Sequence, residues 1–317
     1  MDIFKEVLGA ENRIRPFILK TPLIECKKLS GMIHGEVYLK LENEQYTGSF
    51  KARGSLNKLL SLTETEKKIG VITASTGNHA LGFARAAEIT GVHGTIFLPE
   101  NASKSKIDRL RDFSPELVFH GHDCLDTEMH AKNQATKLGK TYISPYNDLQ
   151  IIGGQGTIGI ELMDQVEDFD DVLITIGGGG LISGMGSYLQ EVKPDTRIIG
   201  CQPENSPEMT LSLQQGHIVS LDEPKETISD GSAGGIEEGA ITFPLCQKLV
   251  NETILVTEEE IVKGIQFMAY NHQKIIEGAA GVAIASLVKN NEKFKGRRVV
   301  IVICGGNIDM KIFKSII

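Results

Sequence analysis

Basic residues are in short supply in this chain of 317 residues: 33 lysines and arginines stand against 41 aspartates and glutamates, a formal net charge of −8. No basic patch interleaves with aromatics, which argues against a nucleic-acid partner. Cysteine is sparse too. The five cysteines (Cys26, Cys124, Cys201, Cys246 and Cys304) are widely spread and form no CxxC pair. That is the pattern of reduced thiols in a cytoplasmic setting, not of a disulfide framework. Long hydrophobic runs are missing, since the longest β-branched stretch, VVIVIC (299–304), is too short to cross a bilayer. The opening segment MDIFKEVLGAENRIRPF is charged and amphipathic and lacks the apolar core of a signal peptide. Low-complexity linkers and solenoid-length repeats are absent as well. With 41% hydrophobic and 23% charged residues, the expectation is a soluble cytoplasmic protein with no membrane partner. Its length suffices for two domains or one large one.

What is present is alternation. Short apolar strands are expected at residues 37–41, 71–74, 95–98, 117–119, 141–143, 172–176, 198–201 and 299–303. Helical stretches lie between them, among them 81–88, 105–112, 127–138 and 258–272. Unbroken apolar strands alternating with helices predict an α/β architecture of buried parallel sheets covered on both faces. The glycine-rich stretch IIGGQGT (151–157) is the expected place for the chain to pass from one sheet to another. Open parallel sheets bind ligands beyond the carboxyl ends of their strands, so function is to be sought in the strand-to-helix loops.

Three such loops stand out. The first, ASTGNHALGFA after the strand at 71–74, gathers Ser75, Thr76, Asn78 and His79 around Gly77. A helix starting near Ala80 would aim free N–H groups and its positive end at them, a setting for a carboxylate or phosphate. A capping loop with Thr76 or Asn78 as N-cap explains the same residues. The second loop, GGGGLISGMG after 172–176, places four consecutive glycines where a backbone must approach something closely. A phosphate cradled by N–H groups is the leading occupant. A dinucleotide fits less well. Starting GxGxxG at Gly177 or Gly178 puts Ile182 or Ser183 at the third glycine, and the next strand leads to Gln202 where an acid is usual. No Gly-Lys-Ser/Thr follows, which excludes a P-loop. A flexible linker is the plain alternative, countered by the buried-type strand that leads straight into the loop. The third loop is CGGNID, where Cys304 ends a strand; burial in the core is the commonest fate of that residue. Elsewhere, HGHDC (120–124) mimics a metal site, but crowded ligands without a partner pair read better as a polar surface loop. The acidic run 258–260 reads as the solvated first turn of a helix.

The stretch YTGSFKARG (46–54) places Lys51 in the first turn of an expected helix running to about Leu62, with Thr47 or Ser49 as cap. There the amine faces the positive end of the helix dipole beside apolar Phe50, and both disfavour the ammonium form. A neutral amine is a nucleophile that forms a Schiff base with an aldehyde. A solvated lysine is the alternative, and the usual state of that residue.

SFKARG, STGNHA, GGGGLISG and CGGN follow one another in the order typical of fold-type II pyridoxal-phosphate enzymes. The chain resembles their serine/threonine dehydratase and serine racemase family, from TPL (21–23) through GQGT (154–157) to CGGN (304–307). The resemblance implies two open, mostly parallel twisted sheets flanked by helices, as in the tryptophan synthase β fold. It also implies a small mobile domain at 52–146 and a large one formed by 1–51 and 147–317. Pyridoxal 5'-phosphate is the implied cofactor. By resemblance, Lys51 binds it covalently, Phe50 packs beside its pyridine ring and Asn78 bonds its 3-oxygen. Gly177, Gly178, Gly179, Gly180 and Leu181 would hold its phosphate, and Cys304 would face the ring nitrogen. Ser75, Thr76, Gly77 and His79 would grip the substrate carboxylate. The implied reaction is α,β-elimination on a β-hydroxy amino acid such as L-threonine or L-serine, with Lys51 taking the Cα proton and a 2-oxo acid and ammonia released. Serine racemisation and 3-hydroxyaspartate dehydration are the family alternatives. A small amino-acid substrate and a homo-oligomer, dimer or tetramer, complete the expectation.

Some positions depart from the family pattern. Thr76 stands where racemising relatives keep a serine as the opposite-face acid/base, and its extra methyl argues against racemisation. Gln202 replaces an acidic cation ligand, leaving Glu208 and the Ser206 carbonyl as the metal candidates. Glu277-Gly278 stands for the usual Glu-Pro and is expected to loosen the backbone beside the pocket. The chain ends soon after CGGN, without the C-terminal regulatory domain of biosynthetic threonine dehydratases, so a catabolic or specialised role is expected.

Overall fold

A computed structural model of the chain describes residues 2–122, 124–221, 223 and 225–317. The chain opens with α1 (Ile3–Ile14), β1 (Leu23–Glu25), α2 (Lys27–Ile33), β2 (Glu36–Leu41), α3 (Lys51–Leu60) and α4 (Glu64–Ile69). Next come β3 (Val71–Ala74), α5 (Asn78–Thr90), β4 (Gly94–Leu98), α6 (Lys104–Arg111), β5 (Glu116–Phe119), α7 (Cys124–Leu138) and β6 (Thr141–Tyr142). The middle runs through α8 (Leu149–Gln165), β7 (Asp171–Thr175), α9 (Gly180–Val192), β8 (Arg197–Pro203) and α10 (Glu208–Gln215). The last elements are α11 (Thr242–Leu249), β9 (Glu252–Val256), α12 (Glu258–His272), α13 (Gly278–Lys289), β10 (Arg298–Ile303) and α14 (Met310–Ile316).

The strands form two sheets, one ordered β1-β2-β10-β7-β8-β9 and one ordered β5-β4-β3-β6. Among the described residues only β1 runs antiparallel to its neighbour. The expected α/β architecture of two mostly parallel sheets is therefore present. Strand β10 shows why: its residues 299–303 are β-branched throughout and fully buried, because helices cover both faces of the sheet. Helix α13 (GAAGVAIASLVK) lies against this sheet along small side chains. Every expected strand forms, with ends shifted by at most two residues. Two more appear that periodicity did not suggest: β1, a three-residue edge strand, and β9, whose run ETILV is only half buried. The stretch IIGGQGT does lie where the chain passes between the sheets, but as part of helix α8. Its glycines serve packing. A Cβ on Gly154 would sit 2.6 Å from the Gly54 Cα, and one on Gly54 would sit 2.7 Å from the Ile151 carbonyl oxygen. Helices α3 and α8 thus touch backbone to backbone, which explains the glycine that ends SFKARG.

Beside this contact lies a cluster of buried charges. The Arg53 guanidinium, with no exposed surface, donates to both oxygens of Glu42 at 2.8 Å and to the two oxygens of Glu161 at 2.8 and 3.0 Å. Lys40, equally buried, donates to Glu161 at 2.5 Å and to the Thr21 carbonyl at 2.8 Å. Arg15 reaches Glu161 from the rim at 2.8 Å. Burial alone would raise the Glu161 carboxyl, but Arg53 and Lys40 outweigh it and hold the group down at about 2. Its carboxyl thus sits below its ordinary 4.5, so the stabilisation is complete above pH 4.5 and is lost as the pH falls toward 2.

Glu161→Gln leaves Arg53 and Lys40 buried with half their partners gone, and is expected to cost about 3–5 kcal/mol in urea titrations at pH 7. The deficit should shrink at pH 3. A loss too small to measure at neutral pH would mean that Glu42 alone neutralises the cluster.

Candidate active site

Topology brings the loops together. Strands β2, β10 and β7 are adjacent and parallel, so the segments leaving their carboxyl ends open on one edge of the sheet. Those segments carry Lys51, Cys304 and the four glycines. A bridge between Ser49 and Gly305, and a hydrogen bond from the Phe50 N–H to the Cys304 carbonyl (3.1 Å), fix the first beside the second. The loop after β3 faces them from the other sheet. Two cavities result. One, of about 560 Å³, is lined by Phe50, Lys51, Cys304 and the glycine loop. The other, of about 370 Å³, is lined by residues 75–79. Lys51, Asn78 and Glu277 line both. A larger surface groove of about 840 Å³ over α11 is mostly apolar and gathers none of these groups.

Lys51 is the first residue of α3, and its cap is Phe50, not Thr47 or Ser49; those two hydroxyls are buried without partners among the described residues. The amine donates to the Pro145 carbonyl at 2.8 Å and lies 5.2 Å from the centre of the Phe50 ring. Enclosure pushes it down to about 8, although Cys304 and Glu277 pull the other way. The solvated-lysine alternative therefore fails.

The glycine loop is a cradle. Gly179 caps α9 with a φ of +87°, and the first-turn residues of that helix, whose N–H groups have no partner within the helix, line the larger cavity. A Cβ on Gly178 would sit 2.4 Å from the Tyr146 ring. The ring is itself held by the Glu237 N–H, which donates to its hydroxyl at 2.9 Å. Only glycine lets this backbone and this ring coexist.

The loop after β3 is an N-terminus without a side-chain cap. Helix α5 begins at Asn78, two residues earlier than expected, with Gly77 as cap, so neither Thr76 nor Asn78 plays that part. Ser75, Thr76, Gly77, Asn78 and His79 all line the smaller cavity. The His79 imidazole, however, is buried against the Thr73 hydroxyl at 3.0 Å. Burial first, then Lys51, push it down to about 3, so it is neutral.

Sequence reading passed over the chemistry of Glu277. Its carboxyl is buried, accepts from the Asn78 amide at 2.7 Å and from the Asn307 N–H at 3.0 Å, and is pushed up by burial to about 7. Nor does Gly278 loosen anything. A Cβ there would sit 2.1 Å from the Ile228 carbonyl oxygen, so glycine permits a tight backbone contact. Cys304 is a buried thiol lining the larger cavity, raised well above its ordinary value by burial and then by Glu277. Cys26, Cys201 and Cys246 are also free and buried.

The cation candidates do not fit a metal. The Ser206 carbonyl accepts from the Gln202 amide at 3.3 Å, and the Ser206 hydroxyl donates to Glu208 at 2.6 Å, so an N–H points at the oxygen a cation would need. In HGHDC, the His120 ring stacks on His130 at 3.5 Å, while Asp123 and the Cys124 side chain lie outside the described residues. Among the described residues no group of three or more metal-type ligands gathers, and no helix is long and apolar enough to cross a membrane. The acidic turn 258–260 opens α12 as expected, yet Glu258 also accepts from the Ile228 N–H and Glu260 closes a capping box with Thr257.

An enclosed amine for an aldehyde, a glycine cradle for a phosphate and a neutral thiol beside them fit pyridoxal phosphate. Gly178→Ala, which drives a methyl into the Tyr146 ring, is expected to weaken cofactor binding by roughly tenfold or more in absorbance titrations of stripped protein. Unchanged affinity would show that the phosphate binds elsewhere.

Comparison with known proteins agrees. The chain is 39% identical over 317 residues to an L-threonine ammonia-lyase of Thermotoga maritima, covering 100% of this chain and 78% of that protein. It is 37% identical over 307 residues to a catabolic L-threonine dehydratase of Escherichia coli, covering 96% and 93%. Its fold superposes with a TM-score of 0.94 on the processed form of a threonine deaminase from Solanum lycopersicum, at 34% identity over 99% of this chain and 92% of that one. A serine racemase from Dictyostelium discoideum gives a TM-score of 0.89 at 32% identity, covering 97% and 99%. Residues 14–305 match the model of the pyridoxal-phosphate dependent enzymes, and with the amine, cradle and thiol in place the chain belongs to that family.

Proposed function

We propose that this enzyme is an L-threonine ammonia-lyase, removing the α-proton and β-hydroxyl of the amino acid and releasing 2-oxobutanoate and ammonia. The observation that carries the reading is Lys51, an amine held near 8 where the cofactor and substrate cavities meet. Relatives named for threonine at 37–39% identity over nearly the whole chain supply the substrate.

Pyridoxal phosphate, when bound, supplies the electron sink that makes the Cα proton removable. Lys51 would hold the cofactor and, once freed, take that proton at Nζ; a group titrating near 8 can both accept and return it at neutral pH. Ser75, Thr76, Gly77 and the N–H groups of Asn78 and His79 bind the substrate carboxylate at the positive end of α5. Phe50 would pack beside the cofactor's pyridine ring, and Gly177, Gly178, Gly179, Gly180 and Leu181 would hold its phosphate. Cys304 stays protonated and neutral, and as a weak hydrogen-bonding partner it holds no proton on the ring nitrogen as an aspartate would. Elimination tolerates that, because the electron pair left at Cα becomes the Cα–Cβ double bond as the β-hydroxyl departs with the pair of its C–O bond. The enamine that leaves hydrolyses in water to the 2-oxo acid and ammonia.

Residues 52–146 form the smaller, mobile body over 1–51 and 147–317. Its first helical turn is pinned by Arg53. At the far side it meets the rest through polar pairs such as Lys106–Asp230 (3.1 Å) and Lys132–Glu237 (2.8 Å), which can part and re-form around substrate. The enzyme acts in the cytoplasm as a homo-oligomer.

With L-threonine, 2-oxobutanoate should form, and Lys51→Ala should lower its rate by roughly a thousandfold. With L-serine, pyruvate should outpace D-serine, because Thr76 carries a methyl where a smaller hydroxyl residue would serve as second acid/base. D-serine appearing faster would replace this reading by a racemase. Cys304→Ser should keep most of the elimination and Cys304→Asp should lose it; an undiminished Asp variant would show that residue 304 does not face the ring nitrogen.

A further inference from the structure

Asn78 sits in a closed ring of hydrogen bonds. Its amide nitrogen donates to Glu277 Oε1 at 2.7 Å, and its amide oxygen accepts from Asn307 Nδ2 at 2.6 Å. The Asn307 backbone N–H closes the ring on Glu277 Oε2 at 3.0 Å. Asn307 cannot turn over. Its second amide hydrogen is given to the Thr47 carbonyl at 2.8 Å, and its oxygen accepts from Arg109 Nη2 at 2.6 Å. Reversing that amide would set oxygen against two oxygens and nitrogen against a guanidinium. The backbone makes room for the arrangement. A Cβ on Gly48 would sit 2.4 Å from Asn307 Oδ1, and one on Gly305 would sit 2.6 Å from Glu277 Oε1.

We infer that Glu277 and Asn307 are positioning residues that fix the Asn78 amide so that it offers an N–H to the cofactor's 3-oxygen, and that Arg109 locks this ring from the substrate side. Asn307, its own amide fixed by Thr47 and Arg109, gives an N–H to the Asn78 oxygen. Facing Glu277, Asn78 must therefore present nitrogen, and the second hydrogen of that nitrogen is left for the cavity. A donor there keeps the 3-oxygen anionic, the state in which the cofactor draws electrons from Cα; a carbonyl there would repel it. Arg109 belongs to α6, on the four-stranded sheet, and is exposed at the rim of the substrate cavity. Among the described residues it has no carboxylate partner, so its hold on Asn307 is its single polar contact across that cavity. The orientation of Asn78 thus depends on the smaller body being seated.

This inference rests on the cofactor site proposed above, and the test separates the two. The absorbance of the holoenzyme without substrate reports the ionisation of the 3-oxygen, and kcat and KM for L-threonine are measured alongside. Glu277→Gln can accept from only one of its two N–H partners. It is expected to shift the spectrum toward the protonated, shorter-wavelength form and to lower kcat by about fivefold to tenfold, with KM little changed. Arg109→Met, at an exposed position where folding is not at stake, should shift the spectrum the same way to a smaller degree. Arg109→Lys, which can still donate to Asn307, should restore it. A wild-type spectrum in Glu277→Gln overturns the ring as a positioning device, and a wild-type spectrum in Arg109→Met overturns the lock. A fall in kcat with no spectral change in either variant overturns the orientation argument. A wild-type chain that binds no cofactor would sink the function proposed above, whatever the variants did.

Discussion

The burial of Arg53 constrains everything around Lys51. A guanidinium cannot shed its charge, so taking it out of water is tolerable only where carboxylates meet it in good geometry. Glu42 arrives from the end of β2 and Glu161 from α8, both as two-point partners. Three chain segments are thereby held in one relation, and Lys51 lies two residues from the fork. An apolar cluster could match the stability of such ions. It could not match their directionality, because a planar fork between two carboxylates fixes the turn of α3 about its axis.

The site itself uses burial in the opposite way, to remove charge. The same desolvation that lowers Lys51 to about 8 takes His79 to about 3, raises Glu277 to about 7 and lifts Cys304 well above its usual range. At neutral pH the imidazole and the thiol are uncharged. The amine and the carboxyl both stand close to their midpoints, each favouring the other's ionised form. A basic amine that can lose its proton near pH 7 is what proton abstraction needs. The two regions lie on either side of one helical turn: ions are locked behind it and groups are kept near neutrality in front.

Much of this was legible in the sequence, and the boundary falls along a physical line. The strand–loop units were readable because their signals are local: a buried β-branched run, then glycines, then a helix. A common sheet edge for these loops was readable from parallel strands, and the family resemblance grouped Lys51, Cys304 and the glycine loop, but the adjacency of β2, β10 and β7 was not readable. The helix starts were misjudged because Phe50 and Gly77 cap without side chains, so no capping residue marks them. Glu277, Asn307, Arg109, Glu42 and Glu161 were not legible as partners. Asn78 meets Glu277 across 199 residues and Asn307 across 229, and nothing local in a glutamate or asparagine tells which will be buried and paired. Gln202 was noticed only as a missing acid; that its amide donates to the Ser206 carbonyl was not legible.

Glycine marks where sequence and structure part most clearly. Read along the chain, four in succession suggest freedom of backbone angle. In the fold only Gly179 takes a positive φ. Gly178 and Gly180 are set by Tyr146, and Gly177 by the backbone of Ser232, each against an atom that a side chain would strike. The same holds for Gly54 beneath Lys51, Gly278 beside Glu277 and Gly305 beneath the ring of amides. Their missing side chains leave space into which ligand, aromatic ring or carboxylate fits. A site that must bring an amine, a phosphate cradle and a buried acid within a few ångströms has little room for anything but backbone between them. Glycine is the residue that supplies backbone alone.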